Sequence, residues 1–142
     1  MALDERLQTI RHSCAHVMAE AVKHLYPNAK IAIGPAIDNG FYYDFDFGTE
    51  KLSDTDFPAI EKEMRKILVG NHDFIRKEVS KAEALELFKD EPYKIELIND
   101  LPDGETITTY EQDGYLDLCR GPHVTNTKEI NGQAFKLHKV AG

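Results

Sequence analysis

The sequence lacks the features of a membrane or secreted protein. It contains no run approaching the roughly 18 apolar residues that a membrane helix needs. The segment from Met1 to Arg6 does not have the basic and then apolar pattern of a signal peptide. We therefore expect a cytoplasmic protein with no membrane partner. Its two cysteines, Cys14 and Cys119, are expected to be free thiols, because disulfides are rare in that compartment.

Motifs of two large enzyme classes are also absent. No glycine-rich loop ends in Gly-Lys-Ser/Thr, the pattern that holds phosphates in many ATP-using proteins. No Gly-x-Ser-x-Gly turn is present to carry a nucleophilic serine. A self-contained ATP-driven reaction is therefore not expected. No repeat, linker or low-complexity tract divides the 142 residues, and this length fits one domain.

Positive charge is scarce. The chain has 17 Lys and Arg against 25 Asp and Glu, which gives a net charge of −8. Because phosphate backbones are bound mainly through Lys and Arg that displace counterions, this chain alone should bind RNA weakly. Hydrophobic residues make up 42% of the sequence, which is too many for a disordered chain. The chain should therefore fold.

Two histidines, His12 and His16, lie in a segment with helical periodicity. A helix over residues 4–25 is predicted by apolar residues at helical spacing: Leu7, Ile10, Cys14, Val17, Met18, Ala21, Val22 and Leu25. The histidines then lie one turn apart on the side opposite this stripe and are not expected in the core, whereas Cys14 is. The pair is either a solvated polar face or one wall of a site.

A β-hairpin is predicted around Asn39-Gly40. Asn-Gly between two strand-like runs is a strong hairpin pattern, since both central positions of a type I′ turn need positive φ. The outgoing strand at residues 31–38 is interrupted by Gly34-Pro35, and the return strand covers residues 41–47. Tyr43 lies on the aromatic face of the return strand, and its hydroxyl can reach a site.

Several further elements follow the hairpin. Helices are predicted between Ser53 and Gly70, after the capping box at Ser80, and at residues 93–99; strands are predicted at residues 72–79, 106–110, 115–119 and 133–140. Lys94 lies near the start of the last helix, where a lysine is most often only a surface charge. Asp117 and Cys119 share one face of their strand, so an acid and a thiol point the same way.

The histidines and cysteines support two kinds of chemistry. His12 and His16, together with Cys119 and His123, are four ligands of the right type for Zn²⁺. The same residues can instead position a water and polarise a carbonyl, with imidazole as the base. Both hypotheses stay open on the residues alone, as does chance co-occurrence in an ordinary domain.

Three motifs in this order together resemble a known family. His12-Ser13-Cys14-Ala15-His16, the hairpin sequence IGPAIDNGFYYD at residues 33–44, and DLCRGPH at residues 117–123 are similar to the editing domain of bacterial threonyl-tRNA synthetases. The resemblance covers residues 10–142. The related alanyl-tRNA editing domains share the two histidine-containing motifs, but the hairpin is similar to the threonyl branch.

The resemblance implies an α+β two-layer sandwich, in which a long N-terminal helix and further helices pack on an antiparallel sheet. It implies a single editing domain, residues 1–142, excised from a larger synthetase. The implied activity is hydrolysis of serine mischarged onto tRNA(Thr), by attack of water on the ester. A second site is needed because a synthetic site that accepts threonine discriminates against serine, which is smaller by one methyl, by only about 1–3 kcal/mol. The implied partners are the serine-carrying 3′ end of tRNA(Thr) and the rest of the synthetase.

Carried over position by position, the resemblance assigns seven pocket residues. The catalytic set is His12, Lys94, Asp117 and His123, and the substrate-binding set is His16, Tyr43 and Cys119. His12 and Lys94 would hold the terminal ribose and a nearby water. Asp117 and Cys119 would recognise the serine hydroxyl and ammonium, and His123 would orient or deprotonate a water.

No metal is expected on this reading, because threonyl editing sites work without one. The alternative is zinc at His12, His16, Cys119 and His123, as in the alanyl relatives. Two competing functions follow: a zinc-dependent, free-standing deacylase of the alanyl type, and a non-catalytic tRNA-interaction domain.

Overall fold

The computed structural model describes residues 3–31, 36–37, 40–41, 45–46, 54–102, 104, 106–119 and 123–130. The helices in this part of the chain are α1 (Leu3–Leu25), α2 (Phe57–Val69), α3 (Lys81–Leu87) and α4 (Pro92–Asn99). The strands are β1 (Lys30–Ile31), β2 (Ala36–Ile37), β3 (Gly40–Phe41), β4 (Phe45–Asp46), β5 (Ile75–Val79), β6 (Ile107–Gln112) and β7 (Tyr115–Leu118). None of the described helices has the length and apolar character that crossing a membrane requires.

Helix α1 is buried on every side through its middle. All residues from 13 to 22 are buried, including His16 at 1% exposure and Glu20 at 0%. The middle of the predicted apolar stripe, from Ile10 to Val22, packs with α2, as expected for an amphipathic helix, but Leu7 and Leu25 at its ends are exposed. The expectation that neither histidine lies in the interior is wrong for His16. A second layer covers that face of the helix, and small Ala15 and Ala19 are buried within it.

That second layer includes the hairpin strands β2 and β3, which lie against α1, and the three-stranded antiparallel sheet, ordered β5-β6-β7. The register pairs Tyr110 with Asp117 and Gln112 with Tyr115. Because side chains alternate along a strand, these four residues share one face, and Asp117 and Gln112 on that face contact α1. The opposite face joins an apolar cluster with α3 and α4 that includes Ile107, Leu116, Leu118, Ala84, Phe88 and Ile98.

The local predictions for the helices are confirmed. All five apolar residues expected to face the core from α2 are buried: Phe57, Ile60, Met64, Ile67 and Leu68. The Ser80 side chain accepts a hydrogen bond from the Glu83 backbone, and the Glu83 side chain accepts one from the Ser80 backbone. This is the predicted capping box. The α+β class, with helices packed on antiparallel sheet, is confirmed as well.

The hairpin is confirmed, but with a different register. Strands β2 and β3 pair Ile37 with Gly40, so Gly40 belongs to a strand and not to the centre of the turn. Of the predicted long strands, the described residues contain two short pairs, β2–β3 and β1–β4. Tyr43, the Gly34-Pro35 interruption, Arg120 to Pro122 and the closing strand at residues 133–140 lie outside the described residues.

Candidate active site

The His16 ring lies between Gln112 and Asp117. Its Nδ1 is 2.9 Å from Gln112 Oε1, and its Nε2 is 3.2 Å from Asp117 Oδ2. The Gln112 amide nitrogen donates to the backbone carbonyl of His16 at 3.4 Å and to Glu20 Oε1 at 3.1 Å. A carbonyl can only accept, so the amide oxygen must face the ring, and His16 Nδ1 carries a proton. Gln112 thereby fixes the orientation of the His16 ring.

Asp117 forms a buried ion pair with Lys94. Lys94 Nζ lies 2.6 Å from Asp117 Oδ1, and the two side chains are 4% and 1% exposed. The Leu118 backbone also donates to Oδ1 at 2.7 Å. Burial alone would raise the pKa of Asp117, but the charges and hydrogen bonds of His16 and Lys94 hold it well below its usual range. The carboxylate is therefore ionised at neutral pH.

Cys119 lies between His12 and His123, the other two histidines of the predicted site. Its Sγ is 3.2 Å from His12 Nε2 and 3.1 Å from His123 Nε2. The His123 ring stacks on Phe74 with centroids 5.2 Å apart, and its centroid is 4.5 Å from those of both His12 and His16. His123 thus joins this group to the cluster of His16, Asp117 and Lys94.

His123 is neutral at physiological pH. Burial, followed by the charges of His16 and His12, lowers its pKa to about 2. A neutral imidazole offers one lone pair and one N–H, so it can accept a hydrogen bond from water. The low pKa makes the ring a weak base. It is therefore a poor general base at neutral pH, since such catalysis is efficient when the pKa of the base lies near the working pH.

The structure therefore brings together six of the seven residues assigned by the resemblance: His12, His16, Lys94, Asp117, Cys119 and His123. The seventh, Tyr43, lies outside the described residues. Cys14 is buried in the core, as predicted, and burial raises the pKa of its thiol to about 12. Cys14 is thus not a nucleophile.

Comparison with known proteins identifies relatives of this chain. Residues 107–141, which include Asp117, Cys119 and His123, match the family described as the threonyl and alanyl tRNA synthetase second additional domain. The chain is 55% identical over 139 residues to a threonine–tRNA ligase from Enterococcus faecalis, covering 98% of this chain and 21% of the relative. The chain belongs to this family of synthetase domains.

Two further threonine–tRNA ligases are similarly close. The protein from Desulfatibacillum aliphaticivorans is 53% identical over 139 residues, covering 98% of this chain and 21% of the relative. The protein from a Geobacillus strain is 51% identical over 142 residues, covering 99% of this chain and 22% of the relative. This synthetase domain spans about a fifth of the length of the curated relatives it matches.

Sequence reasoning missed the role of Ser13 in this synthetase domain. Ser13 Oγ is 3.0 Å from His123 Nδ1 and accepts a hydrogen bond from the Val124 backbone at 3.0 Å. Its hydroxyl donates to the Thr9 carbonyl at 2.9 Å. With that proton committed, Oγ accepts from His123 Nδ1–H, and the Nε2 lone pair faces Cys119. The position of Ser13 between the two motif histidines was a usable signal.

Gln112 was also missed. It is buried at 0% exposure and is the partner of His16 across 96 residues of sequence. A glutamine at the end of a strand carries no motif by itself. Its place opposite Tyr115, on the Asp117 face of the sheet, is clear only once the strand register is known.

The structure brings together three of the four residues predicted as zinc ligands. His12, Cys119 and His123 offer ligand atoms within 4.8 Å of one another, which suits a three-ligand site with one open position. His16 is not in this set, because its two ring nitrogens are directed at Gln112 and Asp117. The predicted four-residue zinc set is therefore not assembled.

Proposed function

We propose that this domain hydrolyses serine esterified to tRNA(Thr), as the proofreading domain of a cytoplasmic threonine–tRNA ligase. One observation carries the proposal: the Lys94–Asp117–His16 cluster adjoins the His12–Cys119–His123 group at the His123 ring. Relatives that span nearly the whole chain are threonine–tRNA ligases, which supports tRNA and the remainder of such an enzyme as partners. Serine differs from threonine by one methyl, so a synthetic site rejects it poorly.

The buried ion pair supports recognition of the aminoacyl group. Asp117 provides a fixed negative charge for the serine ammonium, and the Cys119 thiol, which contacts α1 at His12 as Asp117 does at His16, serves the hydroxyl. Threonine is rejected because its extra methyl does not fit the same space. Lys94 and His12 hold the terminal ribose and the reacting water.

The neutral state of His123 defines its part in the reaction. The Nε2 lone pair faces the Cys119 thiol in the free domain; when substrate binds, the thiol turns its proton to His12 and the lone pair accepts a hydrogen bond from the attacking water, whose oxygen is aimed at the ester carbonyl. With a pKa near 2, the ring orients the water more effectively than it removes a proton. The water oxygen bonds to the carbonyl carbon, the bond from that carbon to the ribose oxygen breaks, and a water proton passes to the ribose oxygen. Free serine and tRNA are the products.

Deacylation of seryl- and threonyl-tRNA(Thr) tests this function. Wild type should release serine faster than threonine, and His12→Ala should slow serine release by at least about tenfold. Lys89→Ala is the control, since this exposed lysine pairs only with Glu86 among the described contacts. Equal release of the two amino acids, or wild-type rates for His12→Ala, would reject the proposal.

A second candidate is a zinc-dependent deacylase of the alanyl type, which the His12–Cys119–His123 arrangement favours. A zinc there would polarise the ester carbonyl or activate the water. Metal analysis of protein purified without added zinc separates the two. One zinc per chain, lost in Cys119→Ser together with activity, would favour the second candidate. A non-catalytic tRNA-interaction domain is less well supported, because the net charge of −8 opposes phosphate binding.

A further inference from the structure

Glu20 lies one helical turn after His16 and is wholly buried. Its Oε1 accepts a hydrogen bond from Gln112 Nε2 at 3.1 Å. Its other oxygen, Oε2, has no hydrogen-bond partner at ordinary distance among the described residues, while burial and then the adjoining Asp113 carboxylate raise the pKa of Glu20 to about 9. His24 Nε2 lies 3.4 Å from Oε2, and a carboxylate oxygen of Asp113 lies within 4.8 Å of the ligand atoms of Glu20 and His24. Buried polar atoms in proteins almost always have a partner, so this oxygen calls for one.

His24 is oriented by an outer carboxylate. Its Nδ1 lies 3.0 Å from Glu63 Oε1, and a carboxylate only accepts, so Nδ1 carries a proton. The Nε2 atom is then the one directed towards Glu20. Histidines that bind metals usually donate their second nitrogen to a carboxylate or carbonyl, which holds the ring in place. Glu63 fits that supporting role.

We propose that Glu20, His24 and Asp113 form a binding site for one divalent transition-metal cation of the zinc class, separate from the His12–Cys119–His123 group. Their ligand atoms lie within 4.8 Å of one another. The 3.4 Å between Glu20 Oε2 and His24 Nε2 matches the separation of about 3.4 Å between two ligands on a tetrahedral zinc with bonds of about 2.05 Å.

The ligand set selects the type of cation. One imidazole and two carboxylates suit zinc and its first-row neighbours, whereas Mg²⁺ and Ca²⁺ prefer oxygen ligands alone. The side chains of His24 and Asp113 are 42% and 35% exposed, which gives the ion a route in from solvent and lets both adjust their positions. Glu20 then supplies the buried end of the site.

The site is joined to the active-site cluster by two hydrogen bonds. Gln112 donates to Glu20 and accepts from His16. A cation that holds the Glu20 carboxylate therefore also holds the amide that orients His16. This places the ion as a structural support for α1 and the β6–β7 turn.

Calorimetric titration of the metal-free Cys119→Ser chain with ZnCl₂ tests the proposal. Removing the sulfur disables the other candidate zinc group. We expect one zinc per chain, a Tm that rises with zinc concentration, and no binding of MgCl₂. Absence of zinc binding up to millimolar concentration would overturn the proposal.

Three further variants in the Cys119→Ser background assign the ligands. Glu20→Gln keeps the size of the side chain and should weaken zinc binding at least about 100-fold; His24→Gln should do the same and serves if Glu20→Gln fails to fold. Glu63→Gln removes no ligand and should weaken binding by about 10–100-fold. Glu96→Gln, an exposed glutamate on α4, is the matched control and should bind as the parent does. Unchanged affinity in both ligand variants would reject the site.

Discussion

Lys94 Nζ lies 2.6 Å from Asp117 Oδ1, and neither side chain is more than 4% exposed. The pair joins α4 to β7 and leaves little water to screen either charge. Removing one partner of such a pair leaves the other charge buried and uncompensated, which typically costs about 3–5 kcal/mol.

Lys94→Ala should therefore lower the free energy of unfolding by about 3–5 kcal/mol, as measured by urea denaturation. Lys89→Ala, which removes an exposed lysine paired with Glu86, should change it by less than about 0.5 kcal/mol. The double variant Lys94→Met/Asp117→Leu removes both charges. Its loss in free energy of unfolding should therefore be smaller than the sum of the losses in Lys94→Met and in Asp117→Leu. Additive losses would show that the pair is not coupled.

Ser13→Ala should both destabilise the chain and slow serine release. The Val124 backbone loses its acceptor, at a cost of about 1–3 kcal/mol. His123 loses the group that sets its Nδ1–H tautomer, so we expect deacylation to fall by about tenfold or more.

Ser80→Ala provides the matched control for Ser13→Ala. It removes the N-cap of α3 at a similar cost of about 1 kcal/mol, far along the chain from His123. Its deacylation rate should stay at the wild-type value. A Ser13→Ala rate equal to that of Ser80→Ala would mean that Ser13 acts only on stability.

Glu129 should contribute acid-sensitive stability. The pKa of Glu129 is lowered to about 2, mainly by the hydrogen bond from the Thr125 hydroxyl. Partial burial acts in the opposite direction, and hydrogen bonds from Arg6 and two backbone amides lower the pKa further. In the unfolded chain the carboxyl takes up its proton near pH 4.5. The contribution is therefore complete above about pH 4.5 and is lost as the pH falls towards 2.

Glu129→Gln should lower the free energy of unfolding at pH 7 by about 1–2 kcal/mol, with a smaller difference from wild type at pH 3. The figure allows for partial solvent screening of a side chain that is 21% exposed. Glu86→Gln, on an exposed pair, should show no such pH dependence. A difference that grows on acidification would contradict the assignment.

The two cysteines should differ sharply in thiol labelling. Burial raises the pKa of Cys14 to about 12, and its side chain lies in the core between α1 and α2. Cys119 is partly exposed. Native protein should therefore react at one thiol with a disulfide reagent, and denatured protein at two. Native Cys119→Ser should not react; fast labelling of that variant would place Cys14 outside the core.

Elements set by short-range patterns were predictable. The period of the apolar residues predicted α1 and α2, and the Ser80 capping box predicted the start of α3. Alternation through residues 115–119 predicted that Asp117 and Cys119 share a face, and both side chains contact histidines of α1. The hairpin was predicted with its register off by one, because the pairing of Ile37 with Gly40 depends on more than the Asn-Gly pair.

The sequence by itself determined the periodic helices, the capping of α3, the shared face of Asp117 and Cys119, and the motifs that define the family. Each depends on residues within a few positions of one another or on spacing along one element. Only the tertiary structure decided that His16 is buried, that Lys94 is paired with Asp117, and which partners orient the histidines. Ser13 meets His123 across 110 residues and His16 meets Gln112 across 96, and such contacts exist only once α1 has packed on the sheet.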